Sequence, residues 1–185
     1  MSVQIRQMIS IRRALIDDLP SIVRVERKSF ARDAWERELF LDYLAQPGQS
    51  IFLVAIFDRK VIAYALAFHS KTRADIDSIA VAPAERGKGV AVALLKRLIG
   101  SLRRRKFRTV SLSARLGNEA AIRLYRKLGI QRTRRINNYY EDRSARLANA
   151  KILLRSVPAK GYLHLRAQIA PEFPWARRGV VWINS

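Results

Sequence analysis

At 185 residues, with hydrophobic side chains at 49% and charged ones at 28%, the chain can bury the core of one α/β domain, which excludes global disorder. With no cysteine and two histidines it excludes disulfides, a thiolate nucleophile and a Cys- or His-built metal site, and no apolar run approaches the ~18 residues of a membrane span. The 36 Lys and Arg against 15 Asp and Glu, a net charge of +21, suit polyanionic surroundings such as RNA or a phosphorylated ligand, although scattered charges also suit an ordinary basic surface.

The opening "MSVQIRQMISIRRAL" has no signal-peptide core, so the expected location is cytoplasmic. Residues 9–15 read as a first strand. "DDLP" then offers Asp17 or Asp18 as a helix cap with Pro20 in the first turn, and Ile22, Val23, Val25 and Phe30 form that helix's apolar face. Trp35, Leu39, Phe40 and Leu44 share one side of a second helix, which "QPGQS" ends. "SIFLVAIF", the turn "DRK" and "VIAYALAFH" make a hairpin, and "ADIDSIAVA" is a third strand of similar type.

From Gly87 a helix buries Val90, Leu94, Leu95, Leu98 and Leu102. The run Arg103, Arg104, Arg105, Lys106 falls at its end, where cations complement the helix dipole. "RTVSLSA" is a buried strand, residues 118–128 a short helix closed by Gly129, and "IQRTRRI" and "AKILLRSV" two closing strands around the polar "NNYYEDRSARLAN". The order is β-α-α-β-β-β-α-β-α-β-β. The expected domain spans 9–156. Residues 157–185 form an irregular extension in which Trp175 and Trp182 favour packing or docking over disorder.

The junction "IAVAPAERGKGVAVALLKRL" pairs two glycines and two cations where a strand hands over to a helix. Free backbone N–H groups at the helix start would point at an anion. Gly87 and Gly89 let the chain bend and a phosphate approach the backbone, while Arg86 and Lys88 add charge. The pattern fits neither the dinucleotide fingerprint nor a P-loop.

The pattern R-x-x-G-x-A after "IAV" resembles the acetyl-CoA pyrophosphate loop of the GNAT N-acetyltransferase superfamily, and "SARLGNEAAIRLYRKLGI" resembles that superfamily's second signature. The resemblance covers residues 9–156 and is greatest to the ribosomal-protein-alanine N-acetyltransferase subgroup. It implies an α+β fold, a mixed, mostly antiparallel, twisted sheet of about seven strands flanked by about four helices. It implies acetyl-CoA as cofactor, with Ile79, Ala80 and Val81 lending strand backbone to the pantetheine arm. Arg86, Gly87, Lys88, Gly89, Val90 and Ala91 would hold the pyrophosphate, Asn118 would hydrogen-bond the cofactor, and Ala121 would pack beside it. Tyr125 would sit near the thioester sulfur.

Acetyl transfer needs a neutral amine, a site for the oxyanion and a proton for the departing thiolate. Tyr125 suits the general acid, and a backbone N–H at the splayed end of "SIAVA" would meet the oxyanion. The subgroup's Glu, five residues before the helix Asn, is replaced by Ser113, which is no base at neutral pH. The alternatives are Asp75, Asp77, Glu26 or Glu141 acting through water, an α-amino group that is already partly neutral, with pKa ~7.7–8.0, or a protein that binds acetyl-CoA but catalyses poorly. Asp77 and Glu141 are the catalytic candidates carried forward. The substrate groove is expected between the first two helices and the loop of Asn137, Asn138, Tyr139 and Tyr140, with Glu26, Phe30, Tyr139 and Tyr140 binding substrate and Trp35 nearby.

The expected activity is acetylation of a protein N-terminal α-amino group. The alternatives are acetylation of a small amine, and an RNA- or ribosome-binding protein of this fold with weak catalysis. The expected partners are acetyl-CoA and a protein or peptide amine, with ribosome or RNA proximity from the charge, no membrane, and a monomer or homodimer.

Overall fold

Two strands that are apolar at nearly every position belong in the middle of a sheet covered on both faces. Ser50–Phe57 (β2) and Lys60–His69 (β3) are such strands, and only the residues at their shared turn leave the core. The computed structural model describes residues 9–71, 73–107, 109–115, 118–128, 132–136, 147–153 and 183–184. Around the hairpin lie β1 (Ser10–Arg13), α1 (Leu19–Phe30), α2 (Arg37–Ala45), β4 (Ala74–Val81), α3 (Val90–Arg104), β5 (Thr109–Arg115), α4 (Glu119–Lys127), β6 (Arg132–Ile136), β7 (Leu147–Leu153) and a short β8 (Ile183–Asn184).

The sheet runs β1-β2-β3-β4-β5-β7-β6, with β8 also against β4. The pairs are antiparallel except β4–β5 and β4–β8. The expected element order holds through β7, and β8 is an addition from the extension.

One face packs α3 through Leu94, Leu95, Leu98 and Leu102 onto Ile51, Leu53, Ile76 and Ile79. The other packs Leu19, Ile22 and Phe40 of α1 and α2 onto Phe52, Val54, Tyr64 and Leu66. Each such fully buried side chain contributes about 1.5–3 kcal/mol.

Local details depart from the sequence expectation. Asp18 stands at the start of α1, but its carboxylate caps nothing in that helix. It accepts from the Leu15 amide at 2.7 Å and from both Arg12 terminal nitrogens at 2.6 and 2.8 Å. Trp35 precedes α2 and stacks on Tyr43 with ring centroids 6.1 Å apart. The third helix starts at Val90, with Gly89 as its cap at φ 83°.

The largest departure lies in β4. Leu66 pairs with Ser78 while Ala67 pairs with Ile76, so Asp77 is an extra residue, a β-bulge. Regular alternation would put Asp77 and Ser78 on opposite faces. The bulge puts both on the α1–α2 face, where they meet Tyr43 and Tyr64. Ile76, Ile79 and Val81 all join the α3 core.

Candidate active site

Two adjacent parallel strands open a gap where they diverge. β4 and β5 pair only from Ala74 to Ile76 and from Val110 to Leu112. Past that point β4 runs on to Val81 without β5, and Ser113 is the first β5 residue beyond the paired stretch. The edge at Ile79 and Ala80 is taken by Ile183 and Asn184 of the chain's own β8.

A short 3-10 turn, Pro83–Glu85, leads from β4 into the glycine loop. Gly87 and Gly89 have φ of 77° and 83°, in the left-handed region that favours glycine, and a Cβ built on either meets nothing within 4 Å. The loop is therefore open on the side where a side chain would stand, and its glycines serve conformation rather than internal packing.

Arg86 is fastened by its Nε, which donates to the Val81 carbonyl at 3.2 Å; the Ser29 hydroxyl of α1 donates to the same oxygen at 3.3 Å. That leaves Arg86 Nη2 buried with no partner among the described residues. Lys88 differs from expectation, because its ammonium pairs with Glu85 at 3.1 Å.

Loop and α4 wall a cleft of about 580 Å³, lined among others by Arg86, Gly87, Gly89 and Ala91 on one side and by Arg123 and Lys127 on the other. The cations of α4 were absent from the sequence expectation. Their signal was Arg123 and Lys127 at i, i+4 on a helix whose apolar face carries Ala121, Leu124 and Tyr125.

Asn118 caps α4, its Oδ1 accepting from the Ala121 amide at 3.0 Å. Two turns past that cap, Tyr125 is buried, and its hydroxyl has no partner among the described residues. Burial pushes that phenol well above the ordinary tyrosine value, so it holds its proton. A buried hydroxyl without a partner costs about 1–3 kcal/mol. Arg86, which lines the cleft, thus fits a phosphorylated cofactor lying between loop and α4, while Tyr125 stands on α4 within the α3-side core and is not among the lining residues.

On the opposite face of β4 the polar groups are buried and paired. Glu26 is fully buried, its Oε1 accepting from the Trp35 amide at 2.8 Å and its Oε2 from the Tyr64 hydroxyl at 2.5 Å. Burial pushes its carboxyl up to about 7, although both hydrogen bonds pull it down. The Ser78 hydroxyl lies 2.7 Å from the same Tyr64 oxygen. Asp77 accepts from the Tyr43 hydroxyl at 3.0 Å and is held well above the carboxylate range by burial and by Asp75. Asp75 is raised by burial too, against the pull of Arg73 and Ser111.

The expected substrate groove is only partly brought together. Glu26 and Phe30 are both buried, Phe30 within the α1–α2 core, so neither presents surface to a substrate as a groove lining does. Tyr139, Tyr140 and Glu141, with Asn137 and Asn138, lie outside the described residues. Among the described residues no cluster of His, Asp or Glu is arranged to hold a metal, and no helix is long and apolar enough to cross a membrane.

The profile of the Acetyltransferase (GNAT) family matches residues 15–130. A Bacillus subtilis protein, provisionally assigned as a ribosomal protein bS18-alanine N-acetyltransferase, is 26% identical over 133 residues, 72% of this chain and 87% of the relative. An N-alpha-acetyltransferase of Saccharolobus solfataricus is 27% identical over 146 residues, 72% of this chain and 86% of that one. Among solved structures, the ribosomal-protein-S18-alanine N-acetyltransferase of Escherichia coli superposes with a TM-score of 0.73 at 26% identity, covering 84% of this chain and 100% of the other.

Proposed function

The chain belongs to the acetyltransferase (GNAT) family and is an N-acetyltransferase, and on that premise we propose that it acetylates the α-amino group of a protein N-terminus. The relatives just described, whose names specify protein N-termini or a ribosomal-protein alanine, support that substrate class. GNAT enzymes draw the acetyl group from acetyl-CoA, which supplies an activated thioester.

The observation that carries the site assignment is the pair of buried polar atoms without partners, Arg86 Nη2 and Tyr125 Oη, on the two elements that wall the cleft. Arg86 and the amides from Gly87 to Ala91 hold the pyrophosphate at the start of α3. Lys88 tempers the charge of Glu85 beside them. Ile79, Ala80 and Val81 give the β4 edge to the pantetheine arm, and Asn118 and Ala121 fix the first turn of α4 against it.

For the chemistry, the amine nitrogen forms a bond to the acyl carbon as the carbon–sulfur bond breaks. Tyr125 donates its proton to the departing sulfur. A β4 amide at the bulge meets the developing oxyanion. The amine's proton goes to a carboxyl on the α1–α2 side, where Asp77 and Glu26 lie. Residues 9–156 form the catalytic domain in this reading, and 157–185 an extension that returns to the sheet through β8.

The test is a thermal-shift titration with acetyl-CoA followed by mass spectrometry of a short peptide with a free N-terminal alanine. Stabilisation together with a gain of one acetyl group at the α-amine is expected. Stabilisation with acetylation of small amines only would overturn the protein-substrate reading.

A further inference from the structure

β5 offers no carboxylate at the gap, since its sequence is TVSLSAR. Of the acids on β4, Asp75 lies in the stretch still paired with β5, opposite Ser111. Asp77 is the bulge residue, closed off by Tyr43 and held well above the carboxylate range by burial and by Asp75. Sequence position therefore leaves the acceptor of the amine's proton unassigned.

Geometry supplies one. The Tyr64 hydroxyl donates to Glu26, so the hydrogen between Ser78 and Tyr64 belongs to Ser78, whose buried hydroxyl oxygen keeps a lone pair for a donor that enters from the gap. The chain Ser78–Tyr64–Glu26 has one direction, and each link is 2.7 Å or shorter. Ser78 sits two residues past the last β4 residue paired with β5, at the mouth of the gap. The bulge turns its side chain to the α1–α2 face.

We propose that Ser78, Tyr64 and Glu26 form the proton acceptor of this acetyltransferase, a relay that carries the amine's proton from the gap to a buried carboxylate. It rests on the N-acetyltransferase reading above but not on which amine is the substrate. As the nitrogen–carbon bond forms, the nitrogen–hydrogen bond breaks toward the Ser78 oxygen. Ser78 passes its own hydrogen to Tyr64, and Tyr64 passes its own to Glu26 Oε2. The net change is one proton from amine to carboxylate, and the reverse path returns it to water after release. Glu26 is in the ionisation range the task needs, with a carboxyl pushed up to about 7. The titratable groups turned toward this pocket among the described residues are Tyr64 from β3, Tyr43 from α2 and Asp77 and Asp75 from β4, and no cation among them pulls Glu26 down.

The relay is read in two ways. In the unliganded protein, the ¹³C resonance of the Glu26 carboxyl titrates near 7, and Tyr64→Phe, which removes a bond to the charged form, moves that midpoint upward. In turnover of a short alanine-initial peptide, log(kcat/KM) below pH 7 falls with a slope approaching 2, because amine and Glu26 must both lose a proton. Tyr64→Phe and the milder Ser78→Ala each reduce the slope to 1 and lower the plateau roughly 10- to 100-fold, about the range of general-base loss. A Glu26 midpoint near 4 to 5 (about the ordinary value), a slope unchanged in both variants, or the same loss in Asp77→Asn alone overturns the relay. If the peptide is inert while benzylamine is acetylated, the protein-substrate reading fails and the relay is judged on the same slopes with benzylamine.

Discussion

Tyr64 of β3 donates its hydroxyl hydrogen to Glu26 of α1 across the buried α1–sheet interface. The pair makes stability depend on pH in a direction opposite to that of a surface salt bridge. Burial pushes the carboxyl of Glu26 up to about 7 in the folded protein, against about 4.3 in an unfolded chain. Between these values the folded state binds more protons, so stability falls as pH rises. The loss begins above the unfolded value, is complete once pH passes the folded one, and amounts to about 4 kcal/mol.

Glu26→Gln removes that dependence. Near pH 5 the buried carboxyl is protonated and, like a glutamine, accepts through its carbonyl oxygen only, so parent and variant have similar stability. Near pH 8 the parent has lost its pH-linked stability and the variant is the more stable of the two. Urea unfolding at the two pH values checks the divergence, and parallel stability curves would remove the burial argument.

Tyr125→Phe separates stability from catalysis. The hydroxyl it deletes is buried without a partner among the described residues, so the unliganded variant keeps or gains stability, by up to about 1–3 kcal/mol. Turnover falls by roughly 10²–10⁴, the range of a lost general acid, with acetyl-CoA affinity changing far less. Calorimetry of the free protein and steady-state kinetics decide it. A variant that melts several degrees lower, with activity lost in proportion, would make Tyr125 a packing residue.

Most of the frame was readable because it rests on periodicity. The stripe Val90, Leu94, Leu95, Leu98, Leu102 is buried as its spacing predicts, and so is the continuous apolar hairpin. The glycines announced a strained turn, and both have positive φ. What escaped was tertiary. The bulge at Asp77 had a signal in the parity break between Ile76 and Ile79, but an alternation rule applied to "DIDS" hides it. Tyr43 and Tyr64 read as ordinary hydrophobic-face residues until the fold sets them against Asp77 and Glu26. The Lys88–Glu85 pair was visible as an i, i+3 spacing yet was outweighed by the expectation of a free phosphate-binding cation. A two-residue strand after a proline-rich stretch has no pattern to read.

At the glycine loop, conformation and ligand approach can be told apart. A methyl at Gly89 meets nothing within 4 Å, so Gly89→Ala pays only for its φ of 83°, about 1–2 kcal/mol. Gly89→Asn, which tolerates the left-handed region, loses less stability than Gly89→Ala. If a phosphate approaches this backbone, both variants lose acetyl-CoA affinity by more than ten-fold, including the one whose stability is nearly kept. Isothermal titration against the two melting temperatures tests this, and affinity that tracks stability would place the phosphate elsewhere.

The last expectation concerns the edge of β4. Ile183 and Asn184 pair in parallel with Ile79 and Ala80, the same backbone proposed for the pantetheine arm. A strand edge has one set of donors and acceptors, so β8 and the cofactor arm exclude each other there. Acetyl-CoA binding to the full chain must then displace β8. A chain ending at Val181 has nothing to displace, and the loss of about two backbone hydrogen bonds' worth of competition tightens acetyl-CoA binding roughly 5- to 30-fold. Ile183→Pro, which removes one donor without shortening the chain, gives an intermediate gain. Equal affinity in all three proteins would mean that β8 and the cofactor do not share the Ile79–Ala80 edge. Weaker binding in the truncated chain would instead make the C-terminal strand part of the cofactor's wall.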